Sequence, residues 1–303
     1  MDNEKSLQSA SYLVAASAVF ERLDVAQATR TEYRWRIKAF VEFIEQRAGE
    51  LTRDSYLDFK RYLADRNDLS VSTKNKYLVS ASILLKELAR TGLLPQDITL
   101  GVRFFSQAKR HKRAGLTDEE MATLTAALKV MPEGRATDRL RAVVCLLALQ
   151  GLRQVEVCRL DVDDLDLVAG TALVRGKGRD DKEPVDLHPQ TVDALQRYLR
   201  SARVADGALF PSWHHSGRYP RLTTRSLRRI VDAALDELGI DKTVHGFRHW
   251  FTTRVLKEYQ GDLLTVRQFT RHNSTEMLRV YDDRRRQLED LPRFHNAFKE
   301  VSL

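Results

Sequence analysis

Gly151-Leu152-Arg153-Gln154-Val155-Glu156 follows directly on Ala142 to Leu149, the longest apolar run of the chain, and on Gln150. The apolar run predicts a buried helix over Thr137 to Gln150, which Gly151 breaks, and a second, short helix from Gln154 to Leu160. A cation and a carboxylate three residues apart, Arg153 and Glu156, begin that second helix. Taken alone, they are compatible with a simple i,i+3 ion pair.

Downstream lies the one convincing β region. Ala172-Leu173-Val174 and Pro184-Val185-Asp186-Leu187 flank a turn rich in glycine and charge (Gly176, Lys177, Gly178, Arg179, Asp180, Asp181), a pattern that reads as a hairpin. Helices are expected again over Gln190 to Ser201, Thr224 to Leu238, Gly246 to Tyr259, Leu263 to Thr270 and Arg284 to Lys299. Upstream, Thr117 and Glu120 form a capping box that opens a helix through Leu128. Before it, Arg103 to Arg113 carries five basic residues (Arg103, Lys109, Arg110, Lys112, Arg113) and no acid. A solvated hinge and a strap lying along phosphates are both open readings of that stretch.

Residues 12 to 100 read as almost entirely helical. Tyr33, Ile37, Phe40, Val41 and Ile44 make an amphipathic stripe that begins near Thr29 or Thr31 and ends at Gly49. Tyr56, Leu57, Phe59, Tyr62 and Leu63 mark a helix within Arg53 to Leu63. Tyr77, Leu78, Ala81, Leu84, Leu85 and Leu88 mark another, from Ser72-Thr73 to Gly92, and Tyr12 to Leu23 a first one. Four or five short helices suggest a compact bundle. The expected organisation is mainly α: a helical bundle over 1–106, a basic linker over 107–115, and a mostly helical domain with a small β-hairpin over 116–303.

Composition narrows the function. Lys and Arg number 50 against 42 Asp and Glu, a formal net charge of +8 that favours polyanionic partners. At 43% hydrophobic and 30% charged, the chain falls outside the disordered classes. Its longest apolar run is far short of the about 20 residues a membrane span needs. The start Met1-Asp2-Asn3-Glu4-Lys5 lacks a signal peptide's order, so a cytoplasmic location is expected. With two cysteines, Cys145 and Cys158, neither a disulfide framework nor a structural zinc site organises the fold. A nucleotide-binding G-x-x-x-x-G-K-[ST] loop and a paired-carboxylate signature for two-metal cleavage are both missing from the sequence.

Three further pieces could carry chemistry: the hairpin tip Arg175-Gly176-Lys177-Gly178-Arg179, the run His245-Gly246-Phe247-Arg248-His249, and Arg271-His272 followed nine residues later by Tyr281. Singly each is weak, since a lone histidine or tyrosine on a helix is more often packed than catalytic. In order along the chain, however, they resemble the tyrosine recombinase, or phage integrase, family, which includes the Xer-type and Cre-like enzymes. The first box of that family reads approximately G-x-R-x-x-E-x-x-x-L, and Gly151, Arg153, Glu156 and Leu160 stand at those places. His245 and Arg248 fill its H-x-x-R box. Lys177 fills its hairpin lysine, His272 its later histidine and Tyr281 its nucleophile. The match runs from about Thr117 to Tyr281, and the first domain resembles the family's core-binding domain only in general pattern. One departure is visible, because the residue before the late histidine is usually glycine and here is Arg271.

The resemblance implies a catalytic set of Arg153, Lys177, His245, Arg248, His272 and Tyr281, with Lys182 as a second candidate for the hairpin lysine. It implies a site-specific recombinase that cuts and rejoins duplex DNA through a 3′-phosphotyrosyl link and a Holliday junction. No cofactor and no metal are expected. The implied partners are double-stranded DNA with inverted-repeat half-sites and further copies of the chain in a tetramer, with Lys109, Arg110, Lys112 and Arg113 on DNA. The location then becomes the nucleoid. Two other readings remain at this stage, a type IB topoisomerase and a non-catalytic DNA-binding regulator of the same fold. A C-terminal stripe, Leu288, Leu291, Phe294 and Phe298, either covers its own domain or passes to a neighbour, with Asp282 to Arg286 expected as a solvated connector after Tyr281.

Overall fold

The computed structural model describes residues 23–47, 51–107, 115–176, 178–213, 221–296 and 299. The chain divides into two compact units, Met1–Lys109 and Arg110–Leu303. The expected helix from Tyr12 to Leu23, but for its last residue, and the basic residues Lys109, Arg110, Lys112 and Arg113 lie outside the described residues.

The first unit contains α1 (Gln27–Gln46), α2 (Arg53–Asp65) and α3 (Val71–Arg90). Each buries the stripe its sequence spells. Ile37, Phe40, Val41 and Ile44 from α1 meet Tyr56, Phe59 and Leu63 from α2 and Leu78, Ala81, Leu84, Leu85 and Leu88 from α3 in one core. Phe40 sits edge-on to both Phe59 and Tyr56, with ring centroids 4.9 and 6.3 Å apart. Truncating such a fully buried ring would cost about 3 to 5 kcal/mol. The start of α2 is fixed reciprocally: the Ser55 amide donates to Thr52 Oγ1 and the Thr52 amide to Ser55 Oγ. Gly92, at φ +75°, ends α3 as expected.

The second unit contains α4 (Asp118–Val130), α5 (Arg135–Ala148), α6 (Gln154–Arg159), strands β1 (Leu165–Asp166), β2 (Thr171–Arg175) and β3 (Lys182–Asp186), then α7 (Pro189–Ala202), α8 (Thr224–Asp236), α9 (Val244–Glu258), α10 (Leu263–Thr270) and α11 (Thr275–Asn296). The capping box at Thr117 and Glu120 is present, with the Glu120 amide on Thr117 Oγ1 at 3.1 Å and the Thr117 amide on Glu120 Oε2 at 2.8 Å. The second half of α5 is apolar on nearly every side, and Ala142, Val143, Val144, Leu146, Leu147 and Ala148 are all buried. The helix packs most extensively on α7 at the centre of the unit's main core.

The three strands form an antiparallel sheet in the order β1-β2-β3, with Ala172 opposite Val185 and Arg175 opposite Lys182. Alternation decides the faces: Ala172 and Val174 point into the core while Leu173 points out. The hairpin therefore stands as read, and β1, too short for a period-two pattern, is an addition.

The C-terminal region departs from expectation. Asp282 to Arg286 is not a solvated connector, because the backbone stays helical from Thr275 to Asn296 and Asp282 is buried. The charged run suggests a break, yet Arg284, Arg285 and Arg286 are good helix formers and the run holds neither Gly nor Pro to stop a helix. Of the C-terminal stripe, Leu291 is half-buried and Phe294 is exposed. The side chain of Leu288 and the whole of Phe298 lie outside the described residues.

Candidate active site

The site is built at the C-terminal end of α5. The chain leaves that helix through Gly151 at φ +59°, a left-handed conformation that favours glycine. A β-carbon there would also come within 2.2 Å of the Phe251 ring, so the position excludes side chains on space as well. The tight exit sets Arg153 at the N-cap of α6, where its backbone amide donates to Glu156 Oε2 at 2.9 Å and its guanidinium to Oε1 at 2.7 Å. Glu156 is almost completely buried. Burial alone would raise its pKa, but Arg271 and Arg153 around it win and hold it below the ordinary carboxylate value.

Helix α9 delivers the second guanidinium. Arg248 is buried, and donates from Nη1 to the Gly151 carbonyl at 2.6 Å and from Nη2 to the Thr270 carbonyl at 2.5 Å. Those two contacts tie α9 to the exit of α5 and to the end of α10. Burial, together with the nearby Arg153 charge, pushes the Arg248 guanidinium well below its ordinary range. Among the described residues no carboxylate forms an ion pair with it, and only the more distant Glu156 charge favours its protonated form, so an anion has room to bind.

Tyr281, on α11, lies in a small cluster with Leu256, Val266 and Leu278. Burial pushes its phenol up to about 12, against the opposing pull of Arg248 and Arg153. Two imidazoles lie beside it, and a third stands against one of them. The His249 ring is 5.1 Å and the His272 ring 6.1 Å from the Tyr281 ring, and His245 stands edge-on to His249 at 4.7 Å. His272 is itself buried, with Nδ1 2.7 Å from Thr270 Oγ1.

The structure thus brings together Arg153, Arg248, His272 and Tyr281 of the six residues expected to be catalytic, with His245 one ring further out against His249. Lys177 lies outside the described residues. Its rival, Lys182, opposite Arg175 at the turn end of the strands, is already engaged, paired with Asp164 and 4.0 Å from Asp161. Two participants went unassigned in the sequence. His249 stands four residues after His245, a spacing that puts both on one helical face and was available to a reader. Arg271 stands where the resemblance leads one to expect glycine. It adopts φ +52° and ψ +42°, the left-handed cap of α10 that a glycine would fill, and turns its guanidinium towards Glu156 Oε2 at 3.3 Å.

Residues 115–287 match the phage integrase family. The XerD tyrosine recombinase of Mycobacterium tuberculosis is 29% identical over 273 residues, 85% of this chain and 87% of that protein. The XerC tyrosine recombinase of Halalkalibacterium halodurans is 27% identical over 284 residues, 88% and 91% of the two chains. Among solved structures, the fold is similar to that of the XerH site-specific recombinase bound to a palindromic difH substrate, at a TM-score of 0.71 and 18% identity over 88% of this chain and 79% of that one.

Proposed function

Because this chain belongs to the phage integrase family and is a tyrosine recombinase, a DNA-breaking and rejoining enzyme acting at specific sites, we propose that Tyr281 is its nucleophile and that Arg153 and Arg248 hold the scissile phosphate. The observation that carries this assignment is the convergence of Arg153, Arg248 and His272 on one buried tyrosine. Neither a topoisomerase nor a binding-only regulator is favoured by the relatives it matches.

Charge builds on the non-bridging oxygens as a phosphodiester is attacked, and fixed guanidinium forks stabilise it more in the transition state than in the ground state. Arg248 suits this task because burial and the neighbouring arginines disfavour its charge more than Glu156 favours it, a balance that an arriving phosphate would reverse. The Tyr281 oxygen attacks phosphorus, its proton passing to a neighbouring imidazole, and the 5′ oxygen leaves with a proton from Lys177 on the hairpin tip. The resulting 3′-phosphotyrosyl ester keeps the bond energy for rejoining to another strand's 5′ hydroxyl.

In this reading the helical first domain and the catalytic domain both contact inverted-repeat half-sites in the nucleoid, and Lys109, Arg110, Lys112 and Arg113 lie on phosphates between them. Four copies act on two sites, each passing its C-terminal segment to the next. Support for that handover comes from exposed apolar side chains at the end of α9 and on α10, Tyr259, Leu264 and Phe269, the kind of face an apolar stripe from another copy would cover.

A nicked substrate whose short 5′ fragment diffuses away tests the assignment. Wild-type protein should form a protease-sensitive covalent adduct in excess EDTA, and Tyr281→Phe should bind the same DNA without one. An adduct that persists in the variant would overturn it.

A further inference from the structure

We infer that Arg271 is a positioning residue of this site, acting through Glu156 on Arg153, where a glycine would supply only the turn. The inference deepens the recombinase reading and rests on it.

Three consecutive residues at the end of α10 each tie down a different part of the site. The Thr270 carbonyl accepts from Arg248, and the Thr270 hydroxyl meets His272 Nδ1. Between them, Arg271 sends its side chain back to the α5 exit, Nη2 to Glu156 Oε2 at 3.3 Å and Nη1 to the Gln150 carbonyl at 3.5 Å. The backbone conformation at Arg271, φ +52°, is one that an L side chain adopts at a cost. The guanidinium is nearly enclosed, 12% exposed, and its Nε is buried with no partner among the described residues. A side chain that only capped a helix would gain by reaching solvent.

The chemistry of the shared carboxylate supplies a reason. Were Glu156 to face Arg153 alone, the 2.7 Å ion pair would neutralise the very guanidinium that must hold phosphate. A second cation on Oε2 draws on the same negative charge, fixes the carboxylate in its buried seat and leaves Arg153 a stronger donor. The three guanidiniums of Arg153, Arg248 and Arg271 against the one carboxylate also leave the site with one more positive charge than glycine would.

The test compares single-turnover cleavage and half-site affinity in Arg271→Gly, Arg271→Asn and Arg271→Lys. Glycine and asparagine both accept the left-handed turn, so each removes the cation while keeping the backbone. Both should slow cleavage by about tenfold with affinity within about twofold of wild type, the signature of an interaction that matters after binding. Lysine should recover most of the rate. In a Glu156→Gln background, Arg271→Gly should add less than about a twofold loss, because its route is gone. Wild-type rates in the glycine and asparagine variants would overturn the inference, as would losses that multiply with Glu156→Gln or affinity that falls in step with rate. A wild-type protein that forms no Tyr281 adduct would instead sink the recombinase reading and the inference with it.

Discussion

Arg248 Nη1 donates to the Gly151 carbonyl at 2.6 Å, joining residues 97 positions apart in the chain. The contact makes the geometry of the first sequence box depend on the second. Gly151 must keep its left-handed turn for its carbonyl to face α9, and Arg248 must remain charged and buried for the exit of α5 to be held. The same guanidinium is tied to Thr270 and thereby to the segment that carries His272.

Removing either arginine that we assign to the phosphate should harm cleavage far more than binding. Arg153→Ala and Arg248→Ala should each slow adduct formation by about 10² to 10³, equivalent to about 3 to 4 kcal/mol of transition-state stabilisation. Arg248→Ala also deletes two structural hydrogen bonds, so its melting temperature should be measured beside its rate. Cleavage within about twofold of wild type by either variant would remove that residue from the phosphate clamp.

The general acid can be located by leaving-group chemistry. Lys177→Ala should cleave ordinary DNA poorly and a 5′-bridging phosphorothiolate normally, since the thiolate leaves without a proton. Lys182→Ala should show no such selective rescue, because Lys182 is committed to Asp164. Rescue of Lys182→Ala alone would transfer the role to it.

Alkaline pH should destabilise the fold. Burial pushes Tyr56, Tyr198 and Tyr281 up to about 12, Cys158 to about 12 and Cys145 to about 11. The folded chain keeps these protons at pH values where the unfolded chain has released them. Their stabilising contribution is therefore complete below about pH 9 and is lost as pH rises from there towards 12, at about 1.4 kcal/mol per pH unit for each group titrating only in the unfolded state. Urea unfolding midpoints at pH 8, 9.5 and 10.5 should fall progressively, and Tyr198→Phe should fall less steeply. Equal midpoints across that range would contradict the burial of these groups.

What the sequence determined by itself is what local periodicity and spacing encode. Helical stripes in both units, the alternation of β2, the glycine stop after α3 and the capping box at Thr117 are all set by neighbours within a few residues, so they were legible. The order of Arg153, His245, Arg248, His272 and Tyr281 was legible too, through its resemblance to the phage integrase family. Only the tertiary structure decided which of these side chains meet and what holds them. Glu156 reads as one half of an i,i+3 pair, yet it serves two arginines, the second 115 residues away. Arg271 reads as a misplaced residue at a glycine position, yet it turns into the site. His249 reads as a neighbour of Arg248, yet it packs on Tyr281. The run from Asp282 to Arg286 reads as a connector, yet it continues a helix. In the first three cases what decides is burial and charge compensation among groups distant in sequence, and that energy does not exist until the helices have packed.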